Sequence, residues 1–223
     1  MTIPVTLRDR LIQATIHLLS TEGLGSLTVR RVSQICDVST MAIYSNFTGM
    51  PGLLRAVGSA GFAQLSARLA GCGRSDDPLT DILVLGFAFH DEALRKPELF
   101  RVMFATEPPK VEVELHRGNI LSGTGDCDFD NFAESFDHMV CATQRAVDAG
   151  LVRTGNARAA AAQFWTGLYG FAQLDLAGLY GDRGVGEVLL PSMVNIMIGM
   201  GADPDRMRQS ASRAVERGLS PAA

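Results

Sequence analysis

The sequence predicts an all-α protein built as two unequal domains. Apolar residues recur at spacings of three and four along most of the chain, the period of a helix with one buried face. Glycine, proline and capping residues interrupt that period repeatedly. The chain has 223 residues, more than one small domain needs and enough to bury a sizeable core. Hydrophobic residues make up 47% and charged residues 20%, which excludes a chain disordered in bulk.

The elements follow in order. Leu7, Leu11, Ala14 and Leu18 define a helix over 7–22, closed by Gly23. Thr28 is placed to cap a short helix over 29–36. Asp37 falls where the chain must turn, and Asp tolerates the left-handed conformation better than most residues. Ser39 then stands as the cap of a third helix, 40–46. Thr48-Gly49 leads into a longer helix, 50–71, whose Pro51 lies in the first turn, where a missing N–H is harmless. The run GCGRSDDP at 71–78 is the first sharp change in composition. Helices are expected next over 79–95 and 97–105, with Pro97 opening the second. Residues 107–126 hold a Pro-Pro pair and three glycines and read as loop; VEVEL within them alternates but is too short to argue for a sheet. Helices resume over 129–149, ending at Gly150, then over 156–180 and 185–199, both unusually apolar, with a turn at 181–186 between them. A last helix covers 204–217. The expected domains are 1–50 and 51–223, linked by helix 50–71.

Three short helices within fifty residues, the second and third joined by a tight turn, describe a helix-turn-helix. A helix that enters the major groove of DNA must be slim and must offer hydrogen bonds or methyl groups to base edges. The stretch VSTMAIYSNF at 38–47 carries no formal charge and meets that need. Ser39, Thr40, Met41 and Ser45 are its base-reading candidates, Ala42 allows close approach, and Ile43 and Phe47 face inward. Arg30 and Arg31, on the preceding helix, are placed for phosphates, which position a protein without specifying sequence. Residues 1–74 hold seven arginines against three acidic groups, net +4, whereas the whole chain is −4. A basic head on an acidic body suits a head that meets a polyanion. A small helical subdomain that touches no nucleic acid has the same amphipathic pattern.

The stretch LTVRRVSQICDVSTMAIYSNFTGMPGLLRAV resembles the DNA-binding domain of the TetR/AcrR family of bacterial transcriptional regulators. The matching residues are Thr28, Val32-Ser33, Cys36-Asp37-Val38-Ser39, Ile43-Tyr44, Phe47 and Leu53-Leu54, and the resemblance covers roughly 7–70. It implies that Thr28 meets phosphate at the start of the second helix, that Arg30 touches phosphate or a base edge, that Tyr44 gives its hydroxyl to phosphate while its ring packs, and that Asn46 meets the DNA backbone. Two residues depart from the pattern. Asp37 stands where glycine is usual and brings a negative charge toward phosphate. Met50 stands where lysine is usual and removes a phosphate contact, so the salt dependence of binding should be shallow.

The resemblance also implies a helical C-terminal domain that binds a ligand and dimerises. AFHDEALRKPELFRVMF at 88–104 and QFWTGLYGFAQLDLAGL at 163–179 resemble stretches of such domains, the second with Tyr169 where histidine is usual. Phe87, Phe100, Met103, Phe104, Phe132, Phe136, Met139 and Trp165 are the expected lining of a small-molecule site, with His90, Gln144 and Gln173 as polar anchors. Phe164, Leu168, Phe171, Leu189, Met193, Ile196 and Met197 are the expected homodimer surface, with Gly167, Gly170 and Gly178 allowing close helix approach. A buried core is the alternative reading of those same positions. The implied function is a repressor that leaves a palindromic double-stranded DNA operator when a small apolar effector binds.

Other classes find less support. No apolar run reaches the roughly 18 residues that span a bilayer. The first twenty residues, broken by Arg8, Asp9, Arg10 and Gln13, are not a signal peptide, so a cytoplasmic protein is expected. Cys36, Cys72, Cys127 and Cys141 form no C-x-x-C pair and are expected free and mostly buried. Asp126, Asp128 and Asp130 begin a calcium-like run, but Asn131 and Asp137 break the loop pattern. The histidines are scattered, no nucleophile or phosphate-loop motif appears, and neither an enzyme nor a bound cofactor is expected. A helical dimer that binds a protein instead of DNA remains the competing reading.

Overall fold

A computed structural model describes residues 5–104, 118–125 and 127–218, leaving aside the side chains of 127–129. Among the described residues the fold is all-α. Ten helices follow in order: α1 (Leu7–Glu22), α2 (Val29–Ile35), α3 (Met41–Phe47), α4 (Met50–Ala70), α5 (Pro78–Arg95), α6 (Pro97–Phe104), α7 (Cys127–Asp148), α8 (Ala157–Leu176), α9 (Leu190–Gly199) and α10 (Pro204–Gly218). The expected loop at 107–126 lies mostly outside the described residues, as does VEVEL; its end forms a two-residue pairing of Gly118–Asn119 with Thr124–Gly125.

Local chemistry sets the helix ends. Thr6 and Asp9 close a reciprocal capping box at α1, each side chain accepting from the other's backbone N–H. Gly23 ends α1 at φ 76°. Thr28 caps α2 by accepting from Arg31 N, and Asn156 caps α8 by accepting from Ala159 N. Ser39 does not cap α3: that helix begins at Met41 and has no side-chain cap. Its first turn closes tightly instead, with Ala42 N donating to Ser39 O and Ile43 N to Thr40 O. The expected helix at 185–199 opens with a π-helical turn, Val185–Leu189, before α9.

The described residues group into two compact units, which divide α4 between Gln64 and Leu65 and α7 between Phe132 and Ala133. The first unit contains α1 to α3, the start of α4, α6 and the start of α7. Leu11, Val32, Ile43 and Leu53 are fully buried there. Phe62 on α4 meets Phe104 and Phe132 edge-on, with ring centroids 5.1 and 5.0 Å apart, and Met103 fills the notch left by Gly61. These contacts are why the packing division falls inside α4.

The second unit is organised around α5, buried at every residue from Pro78 to His90. α8 and α10 pack against it. Phe89 and Phe136 meet Trp165 edge-on at 4.9 and 5.5 Å. The start of α5 is tied down by two carboxylates. Asp81 accepts from Ser75 N and Oγ, Arg145 and Arg217. Asp77 accepts from Thr80, Ser210 and Arg213. Burial pushes both carboxyls up, but the hydrogen bonds and arginines outweigh it and hold both below the ordinary aspartate value.

Candidate nucleic-acid interface

In the first unit, α2 and α3 are held by a small buried footing. Val32 and Ser33 face inward from α2, Ile43 and Phe47 from α3. Arg8 lies over the Phe47 ring at 4.7 Å. Arg10 Nη2 donates to Cys36 O at 2.9 Å, pinning α1 to the turn. The turn itself depends on Asp37, which adopts φ 53°, as its residue type allows.

This footing leaves the expected reading face open. Thr28, Arg30, Ser39, Thr40, Met41, Tyr44 and Ser45 are all exposed, Met41 to 67% and Tyr44 to 53%. Asn46 is half-buried and folds back along its own helix, its Nδ2 donating to Ala42 O at 2.7 Å. Ser45 Oγ donates to the same carbonyl at 3.1 Å. The Tyr44 ring lies over Gly49, where an added Cβ would come 3.4 Å from Cε1. Gly49 at φ 101° thereby supports the ring without crowding it. The two arginines differ. Arg31 is paired with Glu22 at 2.6 Å, which the sequence reading did not foresee, while Arg30 is exposed. Thr28 spends an oxygen lone pair on the α2 cap and keeps its hydroxyl hydrogen for an outside acceptor.

The eleven effector candidates are distributed over both units. In the first, Phe104 and Phe132 meet Phe62, Phe100 lies 4.8 Å from Phe104, and Met103 packs at Gly61. Phe136 packs with Trp165 in the second, and Met139 is buried there too. Phe87 turns toward α10, where it meets Gly218. His90 Nε2 lies 2.7 Å from Asp175 Oδ2. Gln173 lies beside Tyr169, whose hydroxyl it hydrogen-bonds. Gln144 is not an anchor in the interior: it is exposed and donates to Asp148 one turn along. Sequence reasoning missed a half-open cleft of about 340 Å³ in the second unit, with Leu69, Leu85 and Ala142 at its base and Arg74, His138 and Cys141 among its other walls. Burial depresses the His138 imidazole, whose Nε2 lies 3.0 Å from Ser66 Oγ. Cys141 is exposed and Cys36 buried, so the cysteines are not uniformly interior.

The expected dimer surface needs a correction. Phe164, Leu168, Phe171, Leu189, Met193 and Met197 are buried within the chain itself, and Ile196 alone among the seven is partly open. Met193 fills the notch at Gly86 on α5, beside Leu168. Helical apolar spacing marks a face that is covered, and here a single subunit covers it. The outward face of α8 instead presents Gln163, Gly167, Gly170 and Leu174, and that of α9 presents Ser192, Asn195, Ile196 and Gly199. A Cβ added at Gly167 or Gly170 would meet nothing within 4 Å among the described residues.

Among the described residues no helix is long and apolar enough to cross a membrane, and no cluster of His, Cys, Asp and Glu could hold a metal ion. The calcium-like run lies largely outside the described side chains.

The sequence profile of the tetracyclin repressor-like C-terminal domain matches residues 82–197, just over half of the chain. The chain belongs to the TetR family. It is a transcriptional regulator and not an enzyme. Solved structures share the fold of this TetR-family chain. A Rhodococcus sp. RHA1 protein of unknown function has a TM-score of 0.68 at 22% identity, over 87% of this chain and 95% of its own. RolR in complex with resorcinol has a TM-score of 0.67 at 16% identity, over 92% and 93%. A regulatory protein of the TetR family from Rhodococcus RHA1 has a TM-score of 0.60 at 16% identity, over 88% and 97%. At these identities the likeness is one of fold. No curated protein matches the chain in sequence.

Proposed function

We propose that this TetR-family regulator is a homodimeric repressor that binds a near-palindromic DNA operator through α3 and leaves it when a small, mostly apolar molecule binds the body. The observation that carries the reading is α3 itself. Ile43 and Phe47 anchor it, while Thr40, Met41 and Tyr44 are exposed, Tyr44 with its ring resting over Gly49. Large exposed side chains grouped on one short helix mark a partner surface. The net charge of +4 over residues 1–74 supports a polyanion as that partner.

The open faces of α8 and α9 are the dimer surface. Gly167, Gly170 and Gly199 permit close approach of a second copy, and Leu174 and Ile196 supply apolar area. A two-fold dimer sets two copies of α3 against half-sites about one DNA turn apart. RolR was solved with resorcinol and without it, which supports a small molecule as the effector class here. Release requires that the effector bind the DNA-incompetent state more tightly, since a ligand with equal affinity for both states shifts neither.

Purified chain mixed with DNA from its own genomic neighbourhood should retard a specific fragment. Retardation should be lost with Tyr44→Ala or Thr40→Ala. A chain that retards no fragment, or variants that bind as the wild type does, would favour the protein-binding dimer instead.

A further inference from the structure

We infer that α3 reads its half-site through the methyl groups of thymine, with Met41 the principal contact, and not through amide or guanidinium bonds to purines. This rests on the DNA-binding reading above and supplies the class of base that reading leaves open. The usual polar readers are missing or occupied. No charged side chain occurs from Val38 to Leu54, so α3 has no arginine or lysine for the O6 and N7 of guanine. Its one carboxamide, Asn46, would have to donate from Nδ2 to adenine N7 while accepting from N6. That amide nitrogen donates instead to Ala42 O at 2.7 Å and lies 3.4 Å from Ser45 Oγ. The Ser45 hydrogen is likewise given to Ala42 O. Both groups are committed along their own helix.

Apolar surface, the Ser39 and Thr40 hydroxyls and exposed Tyr44 remain, and the DNA-binding reading gives the Tyr44 hydroxyl to phosphate. Met41 is 67% exposed, and its flexible thioether moulds to irregular apolar shapes. The methyl groups of Thr40 and Ala42 flank it. Ser39 and Thr40 hydroxyls can donate or accept, so they discriminate weakly between base edges. In the major groove, thymine is the base that presents a methyl group. An apolar, uncharged reading face therefore selects thymine at the positions it covers.

The test uses duplexes selected by the full chain from a random pool. In the tightest binder, each half-site thymine is replaced in turn by deoxyuridine, which removes the methyl and keeps every hydrogen-bonding group. At one or two positions per half-site the wild-type chain should bind about fourfold more weakly for each methyl lost. With Met41→Ala, the penalty at one of those positions should disappear. Unchanged affinity for every deoxyuridine duplex would overturn the inference and leave DNA binding standing. A penalty that survives Met41→Ala at every position would overturn the assignment of Met41. A pool that yields no enriched sequence would remove the DNA-binding reading and this inference with it.

Discussion

α3 and α5 have similar ingredients and opposite surroundings. Both are rich in apolar and aromatic residues, and both lack charge along their central stretch. In α5, thirteen consecutive residues from Pro78 to His90 are buried, and the two aromatics, Phe87 and Phe89, pack inside the body. In α3 two of seven residues are buried, and the aromatic Tyr44 is more than half exposed. The fold leaves Met41 and Tyr44 of α3 open to solvent, whereas Phe87 and Phe89 of α5 stabilise the body they are buried in. The two helices thus differ by burial more than by composition.

That contrast can be broken most severely at Trp165. Trp165→Ala removes the side chain that Phe89 and Phe136 meet edge-on and should cost about 3–5 kcal/mol of stability in urea unfolding. A loss under about 1 kcal/mol would show that the body's core does not depend on this cluster. Asp81→Asn ranks next. It leaves Arg145 and Arg217 without their carboxylate and should cost about 1–3 kcal/mol. Trp165, the only tryptophan, reports that unfolding by fluorescence.

The same carboxylates set an acid limit. Hydrogen bonds and arginines hold Asp77 and Asp81 below the ordinary aspartate value in the folded chain, so the unfolded chain holds the extra protons in acid. Their contribution is complete above that value and fades as pH falls through their folded values. Wild-type stability should therefore drop steeply in this range, and Asp81→Asn should flatten the drop. An identical acid profile in the variant would refute the role given to the network.

Two smaller effects sharpen the other side of the comparison. Tyr44→Ala should leave stability within about 0.5 kcal/mol, because the ring lies at the surface, while operator affinity in a fluorescence titration falls about tenfold. A large loss of stability would mean that the ring is part of the core. Asp37→Gly should raise stability by about 0.5–1 kcal/mol, since glycine takes φ 53° without strain. It should also tighten DNA binding by removing a negative charge beside the reading helix. Weaker binding would show that Asp37 orients α3 in a way glycine cannot.

The head was more legible in the sequence than the body. Thr28, Asp37 and Gly23 act on their own backbone, through a cap or a left-handed turn, so residue type alone indicates the outcome. The expected reading residues were placed in solvent because Ile43 and Phe47, four apart, fix which side of a short helix faces inward. The body is different. The spacing of Phe164, Leu168 and Phe171 marks a face that must be covered but does not name the cover. The structure covers it from within, leaving Gly167, Gly170 and Leu174 open. Gln144 and the cleft near His138 were misjudged or missed for the same reason, since both depend on which helices converge.

The sequence by itself determined the helices, the Thr28 cap, the stop at Gly23, the turn at Asp37 and the uncharged character of residues 38–47, because each arises from interactions among residues close along the chain. The tertiary structure decided which apolar faces are core, that Arg31 is paired with Glu22, and that the Asp81 cluster binds α7 and α10 to the start of α5. Those outcomes depend on contacts between residues distant in sequence, where periodicity records that a surface is buried and only packing records by what.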